Sequence, residues 1–92
     1  MDLDELRKEI DAVDAEIVKL FEKRMEISER IAAYKQQAGI PVRDEAREKE
    51  KILKVQNLTH TEFNKAHIEE LYTALMSLSR KLQEEKQKTA LK

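Results

Sequence analysis

The fold is decided by residues 2–39, which read DLDELRKEIDAVDAEIVKLFEKRMEISERIAAYKQQAG. Asp2 and Glu5 form a capping-box-like start, and Gly39 followed by Pro41 is a strong stop signal. Between these signals, apolar residues recur at helical spacing on one face: Leu6, Val13, Ile17, Leu20, Ile27 and Ile31. The segment predicts a helix over about residues 2–37, roughly 50 Å long. The remaining chain cannot cover so long a helix, which indicates a partner helix.

Two further helices are expected over about residues 44–57 and 62–85, with a frayed tail over 86–92. Thr59 or Thr61 is the expected N-cap of the third helix. Its apolar face is predicted from Ile68, Leu71, Leu75, Leu78 and Leu82, and a more polar line beside it from Tyr72, Met76, Ser79 and Gln83. The second helix carries the apolar line of Ile52 and Val55, with Glu48 on the same line.

The composition favours an all-α fold, because one Gly, one Pro and 40% charged residues leave little turn chemistry. We therefore expect one domain over residues 1–92, with one very long, one short and one medium helix. Two Tyr, two Phe and no Trp make a thin core for a monomer of this size. Packing against a second copy would relieve this, so the expected assembly is an intertwined helical homodimer.

Several functional classes are disfavoured. A net charge of −1 gives no general attraction to nucleic acid or to an anionic membrane. There is no cysteine, no run of about 18 apolar residues and no secretory signal near Met1, so the cytoplasm is the expected compartment. His60 and His67 lack metal-ligand spacing and are expected at the surface, so we predict no metal site.

Two cations interrupt the apolar stripe of the first helix. Arg24 and Lys35 project within roughly 20° of its centre, and burying an unpaired charge is costly, so an anion is expected to meet them. They lie about 16 Å apart along the axis, which lets their long side chains converge near Ser28 and Ile31. Arg7 lies about 26 Å from Arg24 along the axis, too far to touch the same small ligand from the same chain. If Arg7 belongs to a site, an antiparallel partner must share that site.

A second group of charges follows the turn, where Arg43, Asp44, Arg47 and Glu48 fall within six residues. Free backbone N–H groups at a helix start bind anions or hydroxyls, and Arg binds carboxylates in a bidentate way. Together with Ser79 and Gln83, these residues predict a polar, cation-rich cage inside a helical bundle. The chain shows no Ser/His/Asp or Cys/His nucleophile set.

Each of these residues also has an ordinary structural interpretation. Arg24 or Lys35 alone would usually bury its stem and keep its charge in water. Arg47 and Glu48 alone would be a solvated charge run, and Ser79 and Gln83 a helix flank. Their joint placement is what favours a binding site.

The chain resembles the AroQ-class, all-α chorismate mutases from Leu6 to Gln83. The most specific part is Pro41-Val42-Arg43-Asp44 followed by Arg47-Glu48, preceded by the pattern Leu6-Arg7 … Asp14 … Leu20 … Arg24 … Lys35. The resemblance implies the Claisen rearrangement of chorismate to prephenate in phenylalanine and tyrosine biosynthesis, with no cofactor and no metal. It implies a homodimer in which Arg7 crosses into the partner's site.

The resemblance also implies a role for each matching residue. Lys35 and Gln83 would donate hydrogen bonds to the ether oxygen of chorismate. Arg24 and the partner's Arg7 would hold the carboxylates, supported by Arg47 and Ser79. The Asp44 backbone N–H and the Glu48 carboxylate would hold the ring hydroxyl. The expected catalytic set is therefore Lys35, Gln83, Arg24 and Glu48, and the full substrate-binding set is Arg7, Arg24, Lys35, Asp44, Arg47, Glu48, Ser79 and Gln83.

Three alternatives remain at this point. An isochorismate pyruvate-lyase uses the same fold and a similar cation set. A coiled-coil interaction module has no chemistry, although a simple zipper would avoid two cations in its stripe. A regulatory domain could bind chorismate or prephenate and associate with another enzyme of the aromatic pathway.

Overall fold

The computed structural model describes residues 2–90 and contains three α-helices: α1 (Leu3–Ala38), α2 (Glu45–Leu58) and α3 (Glu62–Ala90). The described chain measures 55 × 26 × 14 Å, and α1 runs along its longest dimension. The prediction of an all-α chain with one very long, one short and one medium helix is confirmed. Among these helices, none combines the length and the apolar character needed to cross a bilayer.

Helix boundaries follow the local capping chemistry. The Asp2 carboxylate accepts a 2.9 Å hydrogen bond from the Glu5 N–H, as the capping pattern predicts. Gly39 ends α1 at φ +68°, a left-handed conformation that a residue without Cβ adopts freely. At the start of α3, Thr61 Oγ1 accepts from the Asn64 N–H at 3.0 Å, which identifies Thr61 and not Thr59 as the cap.

The third helix is longer than predicted. It continues through Ala90, five residues beyond the predicted end at residue 85, and residues 91–92 of the predicted tail lie outside the described chain. Lys86 approaches Glu29 of α1, with Nζ 3.7 Å from Oε1. An exposed ion pair adds little to the stability of the fold. Its position shows that the start of the additional segment of α3 lies beside α1.

The interior of the single chain is small and partly polar. Both α1 and α2 pack against α3. Within the described residues, Ala32 and Val55 are the only buried apolar side chains, whereas Ser28, Ser79 and Gln83 are buried polar ones. The predicted polar line of α3 is therefore the line that faces the interior, and Leu71 and Leu78 of its predicted apolar face are exposed.

The apolar stripe of α1 is also uncovered in the single chain. All six residues of the predicted stripe are exposed: Leu6, Val13, Ile17, Leu20, Ile27 and Ile31. Because burial of apolar surface is the main driving force of folding, this exposed stripe favours packing against a further partner, and the homodimer expected from the sequence stays a prediction.

Candidate active site

One cavity lies between the second half of α1, the start of α2 and the second half of α3. Its volume is about 270 Å³, near the lower end of the range for small-molecule sites. The cavity brings together seven of the eight predicted site residues: Arg24, Lys35, Asp44, Arg47, Glu48, Ser79 and Gln83. The two interrupting cations of α1 thus converge on one space, together with Ser28 and Ile31.

Arg24 is held by neutral groups of α3. Its Nη1 donates to Ser79 Oγ at 2.6 Å and lies 3.5 Å from the Leu75 carbonyl oxygen. The guanidinium carbon is 5.9 Å from the ring centroid of Tyr72, within the range of a cation–π contact. These contacts orient the guanidinium without neutralising its charge.

The two buried serines extend this arrangement. Ser28 Oγ donates to Ser79 Oγ at 3.0 Å, so α1 and α3 are joined by a short chain of hydrogen bonds that ends at Arg24. Both side chains are small, which allows the helices to approach closely at this level. The buried serines therefore hold Arg24 at the wall of the cavity.

Lys35 lies at the other end of the cavity, one turn before α1 ends. Its Nζ donates to the carbonyl oxygen of Val42 at 2.7 Å, which ties the loop between α1 and α2 to the first helix. An ammonium group has three donors, so two remain for a ligand in the cavity.

The start of α2 supplies the next group. Asp44 caps the helix, and its Oδ1 accepts from the Arg47 N–H at 3.0 Å. Glu48 Oε2 accepts from Arg80 Nη1 of α3, and the two side chains are 22% and 24% exposed. Both carboxylates at the cavity thus already have a partner within the chain.

Gln83 lines the cavity with an amide whose oxygen is unsatisfied. The residue is 6% exposed, and its Oε1 is buried and has no hydrogen-bond partner in the described chain. An unpaired buried polar atom costs about 1–3 kcal/mol. An amide oxygen in a cavity wall accepts from a ligand N–H or O–H, and the NH2 group of the same side chain provides the donors.

The cavity is strongly cationic although the whole chain has a net charge of −1. Five cationic side chains line it, and only two carboxylates do. Among residues 2–90, Arg24, Lys35, Arg47 and Lys51 form no ion pair with a carboxylate. The arrangement favours a small ligand with more than one negative charge.

Sequence reasoning missed two of these cations, Lys51 and Arg80. Burial, followed by the charges of Arg47, Lys54 and Arg24, lowers the pKa of Lys51 from its usual value, and Glu50 partly opposes this effect. The sequence signal for Lys51 was its spacing, because it lies four residues after Arg47 on the same face of α2. No comparable spacing signal marks Arg80, because its partner Glu48 is on another helix.

Arg7 is the one predicted site residue outside the cavity. It lies on the exposed first half of α1, as its axial distance from Arg24 requires.

Within residues 2–90, no three His, Asp or Glu side chains form a cluster that could hold a metal ion. The His67 Nδ1 instead lies 2.7 Å from the carbonyl oxygen of Phe63.

Three helices around a cation-lined cavity of this size are typical of a helical protein whose ligand is a small anion. The chain matches the model of the family "Chorismate mutase type II" over residues 6–84, and it belongs to that family. The family match confirms the resemblance drawn from the motifs.

Two curated relatives are similar to parts of the chain. A bifunctional chorismate mutase/prephenate dehydratase of Aquifex aeolicus is 34% identical over 89 residues, which cover 88% of this chain and 25% of the relative. A chorismate mutase of Methanocaldococcus jannaschii is 45% identical over 47 residues, 51% of this chain and 48% of the relative. The chain therefore matches a quarter and about half of the lengths of these relatives. No solved structure gives a significant match.

Proposed function

We propose that this protein is a chorismate mutase that converts chorismate to prephenate by stabilising one conformer and its transition state. The observation that carries the proposal is the cavity itself. It gathers cations without carboxylate partners around the Gln83 side chain, whose amide oxygen has no hydrogen-bond partner within residues 2–90, in a chain of the chorismate mutase type II family. Chorismate is a dicarboxylate with one hydroxyl and one ether oxygen, which suits this set of groups.

Orientation of the substrate is the first contribution. Arg24, fixed by Ser79, would bind one carboxylate, and Arg47 would assist from α2. Glu48, fixed by Arg80, would accept a hydrogen bond from the ring hydroxyl. Holding a flexible molecule in its reactive conformer removes much of the entropic part of the barrier.

Stabilisation of developing charge is the second contribution. The rearrangement breaks a C–O bond, and negative charge grows on the ether oxygen as it does so. Lys35 and Gln83 would donate hydrogen bonds to that oxygen from opposite helices. Donors that are already in place lower the barrier because they need not reorganise during the reaction.

We further propose that the active form is a homodimer. The uncovered stripe of α1 would pack against a second copy, and Arg7 would enter the partner's cavity to hold the other carboxylate. The length of α1 and the distance of Arg7 from the cavity support this arrangement. Residence in the cytoplasm and association with another aromatic-pathway enzyme stay predictions.

The test is the loss of chorismate absorbance with the purified full chain, followed by acid conversion of the product to phenylpyruvate. We expect saturable turnover that Lys35→Ala lowers by roughly 10²–10³-fold. Lys23→Ala is the matched control, because Lys23 is an exposed lysine of the same helix outside the cavity. No turnover by a folded helical sample would overturn the proposal. Release of salicylate and pyruvate from isochorismate would then support a lyase.

A further inference from the structure

Lys51 is the cavity cation whose position has the least structural explanation. It lies on α2 one turn after Arg47, lines the cavity and is partly buried. Like charges four residues apart on a helix repel each other. Because Arg24 lies across the same cavity, three cations meet there: Arg24, Arg47 and Lys51.

The protein does not neutralise this cluster. Asp44 is engaged by the Arg47 N–H and Glu48 by Arg80, and Lys51 forms no ion pair within residues 2–90. Loss of hydration and the neighbouring Arg47, Lys54 and Arg24 lower the pKa of Lys51, and only Glu50 acts in the opposite direction. The placement therefore disfavours the charged form in the free protein.

A structural role explains this placement poorly. A surface lysine normally keeps its stem on apolar surface and turns its ammonium group into water, away from other cations. Lys51 instead shares the cavity with Arg24 and Arg47. An anion bound in the cavity would attract all three cations, and this attraction would offset the repulsion between them.

We propose that Lys51 is a further substrate-binding residue that joins Arg24 and Arg47 around one carboxylate of the substrate. The inference rests on the proposed function, since it takes chorismate as the dicarboxylate in this cavity. It adds a cation to the predicted binding set on the α2 wall. The interaction is made with a carboxylate that carries its charge throughout the reaction, so it contributes to binding more than to the chemical step.

The experiment compares the unsubstituted 92-residue chain with Lys51→Met, Lys51→Arg and Lys54→Met. Lys51→Met removes the positive charge but keeps the length and apolar character of the side-chain stem. Lys51→Arg keeps the positive charge. Lys54→Met removes one charge from the exposed face of the same helix, outside the cavity. Steady-state kinetics with chorismate give KM and kcat, and calorimetric titration with prephenate gives a Kd that does not depend on turnover.

We expect Lys51→Met to raise KM and the prephenate Kd roughly tenfold, as for the loss of one charge-assisted hydrogen bond. The effect on kcat should be smaller. Lys51→Arg should recover most of the binding, and Lys54→Met should stay within about twofold of the parent.

The outcomes separate the two proposals. If the parent turns over chorismate and Lys51→Met binds as Lys54→Met does, the role of Lys51 is wrong while the mutase function stands. If the parent binds prephenate without turnover, the function is wrong, and the Kd values still decide the role of Lys51. A parent that neither binds nor reacts would overturn both. If Lys51→Arg and Lys51→Met weaken prephenate binding equally, the positive charge at position 51 is not what contributes to binding.

Discussion

Arg80 of α3 donates a hydrogen bond to Glu48 Oε2 of α2, and this ion pair closes one side of the cavity. Both side chains are about three-quarters buried, so the pair is less screened than a surface salt bridge. The bond engages one carboxylate oxygen and leaves the other available to a ligand hydroxyl. While Glu48 is paired with Arg80, Lys51, three residues further along α2, forms no ion pair within residues 2–90.

We therefore predict that Arg80→Met lowers kcat/KM about tenfold, because one charge-assisted hydrogen bond that orients Glu48 is lost. Arg80→Lys should retain part of the activity, since it keeps the charge but not the planar fork. Steady-state kinetics provide the measurement, and Lys81→Met, at the exposed neighbouring position, is the control. Unchanged kinetics in Arg80→Met would show that Glu48 needs no support from α3.

Lys35 is predicted to act in the chemical step. We expect Lys35→Ala to lower kcat by roughly 10²–10³-fold, the usual cost of removing a donor to developing negative charge. Because Lys35 also binds the Val42 carbonyl oxygen, the helix content must be checked by circular dichroism in the same sample. Near-normal turnover by a folded variant would reject its assignment to the ether oxygen.

Gln83 leads to a prediction about pH. As a neutral amide it donates a hydrogen bond without having to gain a proton, whereas a glutamate there donates only when protonated. We expect Gln83→Glu to move the optimum of kcat/KM to acid pH, with activity lost as the carboxyl ionises. Gln37→Glu adds the same charge at an exposed position of α1 and should keep the parent profile. An unchanged profile in Gln83→Glu would exclude Gln83 as the donor to the ether oxygen.

The shared site is tested by mixing two inactive variants. Arg7→Ala and Arg24→Ala each damage every site in their own homodimers. If Arg7 enters the partner's cavity, a mixed dimer contains one site in which both arginines are intact. Activity should return on mixing, towards about one quarter of the parent value for random exchange of subunits. No recovery after verified subunit exchange would contradict the shared site.

The helices and much of the candidate site could be predicted because their signals are local. Apolar spacing, the Asp2 cap and Gly39 determine α1, and the interval between Arg24 and Lys35 places both at one cavity. The extension of α3 to Ala90 was missed because its last turns carry no apolar period. Arg80 was missed because only the packing of α2 against α3 brings it to Glu48.

Lys51 leads to a last prediction that links stability to pH. Its pKa in the folded protein lies below the usual 10.5, so the unfolded chain binds its proton more tightly. Below the lowered pKa, both states are protonated and the full destabilisation is present. As pH rises from the lowered pKa towards 10.5, the folded protein loses the proton first and the destabilisation disappears.

We therefore expect Lys51→Met to be more stable than the parent at neutral pH by about 0.5 kcal/mol, the scale of one like-charge pair on a helix. This difference should shrink as pH rises towards 10.5. Urea unfolding at a fixed protein concentration measures it, because dimerisation would make stability depend on concentration. If Lys51→Met is more stable than the parent but binds prephenate more weakly, the charge of Lys51 lowers the stability of the free protein and contributes to ligand binding. A Lys51→Met variant less stable than the parent at neutral pH would contradict this stability prediction and show that the Lys51 stem contributes more through packing than its charge costs.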